Sequence, residues 1–168
     1  MTDLTVREYQ PEDQRAVRSL HERAMIDAGT YDPTVEDADL DDIEGTYLDV
    51  DGTFLVGVCD EQVIAMGALR PVDEWYAAQF ESVRDPAGVV TRMRVDPPHQ
   101  RQGYGQRLLD GLIRRARNLG YRELLLDTDP DQTAARAFYE ANGFQREGTV
   151  DVEGFDDLTL VLYRTRLD

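Results

Sequence analysis

Between Val89 and Leu119 the chain changes its periodicity once, and that change dictates a strand, a sharp turn and a helix in succession. Val89, Thr91, Met93 and Val95 alternate with Val90, Arg92 and Arg94, the two-residue repeat of a strand. Pro97-Pro98 lacks the donors to continue a ladder and ends it. From Gly103 onward Leu108, Leu109, Leu112, Ile113, Ala116 and Leu119 recur at helical spacing, and Gly120 closes the helix. The connection, Gln100-Arg101-Gln102-Gly103-Tyr104-Gly105, puts two glycines where the helix begins. Glycine lets the main chain approach a ligand closely, and the first N–H groups of a helix have no partner of their own. A pyrophosphate requires that geometry, and Arg101 and Arg107 can add charge to it. The bland alternative is a glycine-lined helix start with no ligand.

The other elements follow from simpler signals. Alternation over 4–9 predicts a strand, and Pro11-Glu12-Asp13 opens a helix reaching to about Ala28. Residues 27–33 read as a loop and the acid-rich run 34–48 as a second helix. Asp51-Gly52 and Asp60-Glu61 punctuate strands over 53–59 and 62–69, the pattern of a hairpin. Residues 71–87, with Trp75, Tyr76 and Phe80, carry no clear period. Leu124-Leu125-Leu126 is the short apolar run of a strand buried on both faces. Asp129-Pro130-Asp131-Gln132 has the form of an N-cap, a first-turn proline and a capping-box glutamine. The helix it predicts runs to Ala141 and stops at Asn142-Gly143, and 144–148 and 158–164 close the order as strands. This is an α/β (α+β) pattern, and 168 residues suit one domain spanning 1–168 rather than two.

Charge narrows the ligand. The chain has 34 acidic residues against 18 basic ones, every basic one is arginine, and the net charge is −16. This lysine-free composition resembles that of proteins from high-salt cytoplasms, where surface carboxylates keep a protein solvated and salt screens their repulsion. Steering of a cationic substrate is the functional alternative, and at high salt it is lost. Positive charge is concentrated in 91–122, where eight arginines stand against Asp96 and Asp110. One short basic segment beside a strongly acidic half is a poor footprint for a nucleic acid, and no nucleic-acid partner is expected. A small polyanion fits better. No stretch approaches the ~20 apolar residues of a membrane helix, and the amino-terminal residues lack a signal-peptide pattern. No membrane partner and a cytoplasmic location are therefore the expectation. Cys59 is single and reads as a buried thiol, and no Cys/His group has metal-ligand spacing.

Two well-known phosphate loops fail against the connection. A P-loop requires a lysine, and this chain has none. A dinucleotide fingerprint requires a third glycine, and Leu108 stands there, with Gly103 eight residues beyond Val95 rather than directly after a strand.

Val95-Asp96-Pro97, Gln100-x-x-Gly103-x-Gly105 and Leu108-Leu109 together resemble the signature of the GNAT family of N-acetyltransferases. Ala135-Arg136-Ala137-Phe138-Tyr139-Glu140-Ala141-Asn142-Gly143-Phe144 is similar to a second motif of that family. The likeness is strong over about 88–148 and consistent in element order elsewhere. Arg101 departs from it at a position where glycine is common, and Gln132 stands where many members carry Asn. The resemblance implies a single-domain fold with a central mixed, mostly antiparallel sheet flanked by about four helices. It implies acetyl-CoA as acyl donor, held at its pyrophosphate by main-chain N–H groups of Arg101, Gln102, Gly103, Tyr104 and Gly105, with Gln100 beside them. It further implies that the strand edge at Met93, Arg94 and Val95 pairs with the pantetheine arm and polarises the thioester carbonyl. A preorganised donor aimed at a developing oxyanion contributes a few kcal/mol.

Tyr139 is the candidate general acid. A phenol with a pKa of about 10 can give its proton to a departing thiolate of pKa roughly 8.5. Gln132, Ala135 and Tyr139 form one helical stripe, expected to face the cofactor, while Ala134, Ala137, Phe138 and Ala141 form another, expected to pack on the sheet. Gln132 serves equally well as a helix cap, and Tyr139 as a core residue.

The base that deprotonates the attacking amine is unassigned. Glu74 and Glu81 are candidates but read better as ordinary surface acids, and His21 and His99 look isolated. By family analogy the acceptor contacts residues 25–33 and the loop near 152–156, which include Tyr31 and Phe155. The acceptor is an amine of a small molecule or peptide, and a homodimer is left open. The rival is a non-catalytic acyl-CoA-binding or regulatory module on the same fold.

Overall fold

Strands β1 (Thr5–Glu8), β2 (Thr53–Cys59) and β3 (Gln62–Pro71) are successive antiparallel neighbours in the computed structural model, which describes residues 3–154 and 158–167. Asp60 (φ 49°) and Glu61 (φ 65°) join β2 to β3, both left-handed as a two-residue hairpin turn requires. Register places Phe54 opposite Ala68 and Val56 opposite Met66 on one face, and Leu55 opposite Gly67 on the other. The first face packs on Val17 and Leu20 of helix α1 (Gln14–Asp27). On the second, Leu108 of helix α4 (Tyr104–Asn118) packs with Leu4 and Ala65. A Cβ on Gly67 would lie 2.5 Å from Met93 Sδ and 3.1 Å from Leu112 Cδ1, so glycine lets both side chains reach the sheet. Leu108, Leu109 and Leu112 are fully enclosed, each contributing about 1.5–3 kcal/mol by burial.

Strand β4 (Ala87–Val95) continues the order, and its first three residues, Ala87–Val89, pair in parallel with Glu123–Leu125 of β5 (Glu123–Thr128). Strand β7 (Thr159–Arg166) lies antiparallel between β5 and β6 (Gln145–Asp151). The strand order is β1-β2-β3-β4-β5-β7-β6, with one parallel pair among antiparallel ones, the mixed and mostly antiparallel sheet expected.

Contacts divide the chain into two compact units, one made of the residues up to Arg70 with Val90–Leu119, the other of Pro71–Val89 with the residues from Gly120 on. The second has its own core of Tyr76, Phe80, Val89, Leu125 and Leu162. Its buried Glu123 accepts the Arg84 amide and lies 3.4 Å from Arg164, which also pairs with Glu147 at 2.9 Å.

Two expectations are corrected. The acid-rich run 34–48 is not one helix: only Ala38–Asp41 (α2) and a π turn over Glu44–Leu48 form. Asp32 Oδ1 accepts from Thr34 N at 2.9 Å and Asp42 Oδ1 from Gly45 N at 3.0 Å. These local bonds compete with helix bonds, and the closely spaced carboxylates repel. Residues 71–87 contain one further turn, α3 (Glu74–Ala77), capped by Asp73 Oδ1 on Tyr76 N at 2.7 Å. Helix α5 (Thr133–Ala141) starts later than Asp129-Pro130 suggests. Asp129 Oδ1 instead accepts from Asp131 N at 2.8 Å, a turn that precedes the helix. Its C-terminus is as expected, with Gly143 left-handed at φ 88°.

Candidate functional site

The first unit contains the whole of the expected cofactor connection. Midway along β4 the alternation is interrupted, because Arg92 has φ 57°. Its guanidinium is held by Asp39, Nε to Oδ2 at 2.9 Å and Nη2 to Oδ1 at 2.6 Å, and reaches Asp37 at 3.1 Å. Burial alone would lower the Arg92 pKa, but Asp39 and Asp37 raise it, so the charge is secure. Tyr47 donates to Asp39 at 2.5 Å, and its burial beside that carboxylate raises its own pKa. His21 Nε2 lies 3.2 Å from Asp37 Oδ2, so His21 is not isolated. Burial first, then Arg92 and Arg94, lower the His21 pKa and keep the ring neutral near neutral pH. Its Nδ1 is buried without a partner among the described residues.

Beyond Arg92, the Met93 and Val95 side chains pack toward Leu108 and Ile64. Arg94 Nη1 donates to Met93 O at 2.8 Å, and Gln100 Nε2 donates to Val95 O at 3.1 Å. Gln100 thus folds the connection back onto the strand that precedes it. Asp96 anchors the turn: its N–H reaches Ile64 O of β3 at 2.8 Å and its carboxylate takes Arg23 Nε of α1 at 3.1 Å. Pro97–His99 forms a 3-10 turn, and His99 Nδ1 lies 3.8 Å from Asp96 Oδ2.

Arg101 (φ 64°) and Gly103 (φ 82°) are both left-handed, and Gly103 occupies the N-cap of α4 with open space around its Cβ position. The left-handed backbone is the physical reason glycine suits position 101. Arg107 N makes the first helical bond, to Gly103 O at 3.2 Å. The amides of Tyr104 and Gly105 precede it at the open end of the helix, the arrangement that receives anions. Arg101 and Gln102 are exposed at this end. Arg107, expected to add charge, instead donates from Nη1 to Leu4 O at 2.6 Å. The remaining nearby cation on the connection is Arg101.

In the second unit Gln132, Ala135 and Tyr139 share the more buried stripe of α5, while Ala134, Ala137 and Ala141 are exposed. The three alanines of the stripe expected to pack on the sheet therefore face solvent, while Phe138 of that stripe is half-buried against Tyr139. Tyr139 is 7% exposed, with Phe138 and Phe144 edge-on at 5.2 and 5.6 Å. Gln132 makes no side-chain cap bond. Glu74 and Glu81 are surface residues, and Phe155 and Asp156 of the expected acceptor loop lie outside the described residues. A cleft of about 480 Å³ lined by Arg7, Glu8, Leu55, Asp110 and Arg114 contains none of the residues 100–105.

Sequence reasoning missed the Asp37–Asp39–Arg92–Tyr47 cluster. Its signal was an arginine among the valines and methionine of a strand, which must find a carboxylate if it is to be buried.

The fold is thus a mixed sheet with a left-handed, glycine-capped helix start beyond one of its strands. Residues 15–144 match the acetyltransferase (GNAT) family model, and the chain belongs to that family. It is 33% identical to human N-acetyltransferase 8 over 111 residues, covering 66% of this chain and 46% of the human protein. It is 40% identical over 68 residues to the mycothiol acetyltransferase of Geodermatophilus obscurus, covering 40% of this chain and 22% of that protein. The chain thus spans less than half the length of these curated relatives. A GNAT acetyltransferase from Staphylococcus aureus superposes with a TM-score of 0.80 at 18% identity, over 99% of this chain and 100% of that one. A putative acetyltransferase from Salmonella typhimurium, solved with acetyl-CoA, superposes with a TM-score of 0.78 at 21% identity, over 99% and 95%. Among the described residues no helix is long and apolar enough to cross a membrane.

Proposed function

We propose that the chain is an acetyl-CoA-dependent N-acetyltransferase that moves an acetyl group to a primary amine of a small molecule or peptide. The observation that carries this is the connection itself: Arg101 and Gly103 turn left-handed, and the first amides of α4 follow at once. Family membership supports reading the anion at this helix start as the pyrophosphate of acetyl-CoA. The match over 15–144 draws on both units, which supports one N-acetyltransferase domain.

Main-chain N–H groups from Arg101 to Gly105 hold the pyrophosphate, with the Arg101 guanidinium beside it. Met93, Arg94 and Val95 present main chain to the pantetheine arm, and an amide of this run polarises the thioester carbonyl. The neutral amine attacks that carbonyl directly, forming the C–N bond as the C–S bond breaks. The Tyr139 hydroxyl gives its proton to the leaving thiolate, while solvent takes the amine proton and returns one to the Tyr139 phenolate. Gln132 and Ala135 line the same helix face, one offering an amide, the other leaving room. The acid-rich, lysine-free composition supports a salt-rich cytoplasm as the working medium.

A thiol-release screen with acetyl-CoA against polyamines, amino acids, aminoglycosides and peptide N-termini tests the reaction. Release that depends on one amine class supports it. Acetyl-CoA binding without release for any amine favours a non-catalytic module instead.

A further inference from the structure

We propose that Asp39 and Arg92 are a positioning pair for acetyl transfer, holding the β4 main chain so that the amides after Arg92 meet the thioester; this rests on the acetyltransferase reading above. A side-chain-bearing residue at φ 57° in the middle of a strand is unfavourable and persists only where its surroundings over-determine it. Here they do. Asp39 grips the guanidinium by two parallel bonds at 2.9 and 2.6 Å, and Asp37 adds a third at 3.1 Å. Each carboxylate is in turn fixed from elsewhere, Asp39 by the Tyr47 hydroxyl at 2.5 Å and Asp37 by His21 Nε2 at 3.2 Å. The Arg92 side chain is only 17% exposed, so a planar bidentate fork in this place leaves little freedom to the backbone that bears it.

The consequence falls on the peptides that follow. A left-handed residue turns the next peptide planes out of the regular ladder, and those belong to Met93, Arg94 and Val95. Arg94 and Gln100 hold the Met93 and Val95 carbonyls at 2.8 and 3.1 Å, so the orientation set at Arg92 is transmitted rather than relaxed. The pyrophosphate cradle at 101–105 is anchored separately, through Asp96 on Arg23 and the β3 carbonyl of Ile64. The pair therefore governs the rate of transfer more than the affinity for acetyl-CoA. A misplacement of about 1 Å at a reacting centre costs on the order of a hundredfold in rate.

The test compares kcat, measured by thiol release, with the acetyl-CoA Kd, measured by calorimetry, in Asp39→Asn, Tyr47→Phe and Arg92→Gly. Glycine adopts the left-handed conformation without strain, so Arg92→Gly removes the clamp without the steric penalty of alanine. Tyr47→Phe removes one bond to Asp39 and covers the case in which the other two unfold. The expected result is a fall in kcat of about tenfold or more in Asp39→Asn and Arg92→Gly, and a smaller fall in Tyr47→Phe, with Kd changed by less than about threefold. Unchanged kcat in the folded variants overturns the proposal. So does a parallel loss of kcat, affinity and melting temperature, which is what a purely structural pair would give. If the unsubstituted chain binds no acetyl-CoA, the acetyltransferase reading fails, and the pair's role in transfer fails with it.

Discussion

Arg101 and Gly103, two residues apart at the start of α4, share the same left-handed backbone, with φ of 64° and 82°. Glycine holds that conformation freely, whereas arginine holds it at a cost of roughly 1–2 kcal/mol. Arg101→Gly is therefore expected to raise stability, by up to about 1 kcal/mol once the greater freedom of glycine in the unfolded chain is allowed for. It also removes a guanidinium from the proposed pyrophosphate cradle, so acetyl-CoA affinity falls as stability rises. Thermal unfolding and calorimetry on one preparation measure both. A variant that is less stable, or that binds acetyl-CoA more tightly, contradicts this account of residue 101.

Tyr139→Phe keeps the ring that Phe138 and Phe144 enclose and removes only the hydroxyl. The expected outcome is a kcat lower by about 10²–10⁴-fold, the range for loss of a general acid, with acetyl-CoA Kd little changed. Stopped-flow thiol release and calorimetry separate the two, and an unchanged kcat removes Tyr139 as the acid.

Acid is expected to destabilise the fold in two stages. The Asp13 carboxylate is held below the usual range by hydrogen bonding to Arg7, at 2.7 and 3.0 Å, which outweighs burial. For Asp39, burial opposes ionisation and is outweighed by Arg92 and Tyr47. A depressed folded pKa means stability that is present above the unfolded value of about 3.9 and lost as pH falls through the folded value. His21 is depressed too, so protonating it begins to destabilise the fold below its unfolded value of about 6.5. Melting temperature should decline modestly below about pH 6.5 and steeply below about pH 4. His21→Gln should flatten the first decline, and an unaltered slope in that variant shows that His21 is not its source.

Much of the site was legible in the sequence because both of its periodicities are strong and two glycines mark their junction. The strand, the 3-10 turn after Asp96 and α4 all stand where alternation, Pro97-Pro98 and the leucine spacing put them. In sequence the acid-rich run has the composition of a solvated helix surface. Asp37 and Asp39 instead hold Arg92, 55 and 53 residues further on, a tertiary bond that no local window contains. Asp129-Pro130 failed differently: the same local chemistry that caps a helix also closes a turn, and here the turn took it. On α5 each stripe carries one aromatic residue, Tyr139 or Phe138, so side-chain size in the sequence does not decide which is the more buried. Arg107 looked available for phosphate because nothing in its own helix shows that the Leu4 carbonyl is within reach.

Salt should stabilise the protein. At net charge −16 the folded chain repels itself, and at about 1 M salt the Debye length falls to about 3 Å. The melting temperature is expected to rise from low to molar KCl and to level off once the surface carboxylates are screened. A melting temperature that is flat or falls with KCl contradicts a salt-adapted surface.

The most direct test of the central claim is calorimetric titration of acetyl-CoA into the purified protein, from low to molar KCl. The account predicts saturable binding of one acetyl-CoA per chain, weakened by Arg101→Gly. Absence of binding at every salt concentration would contradict it.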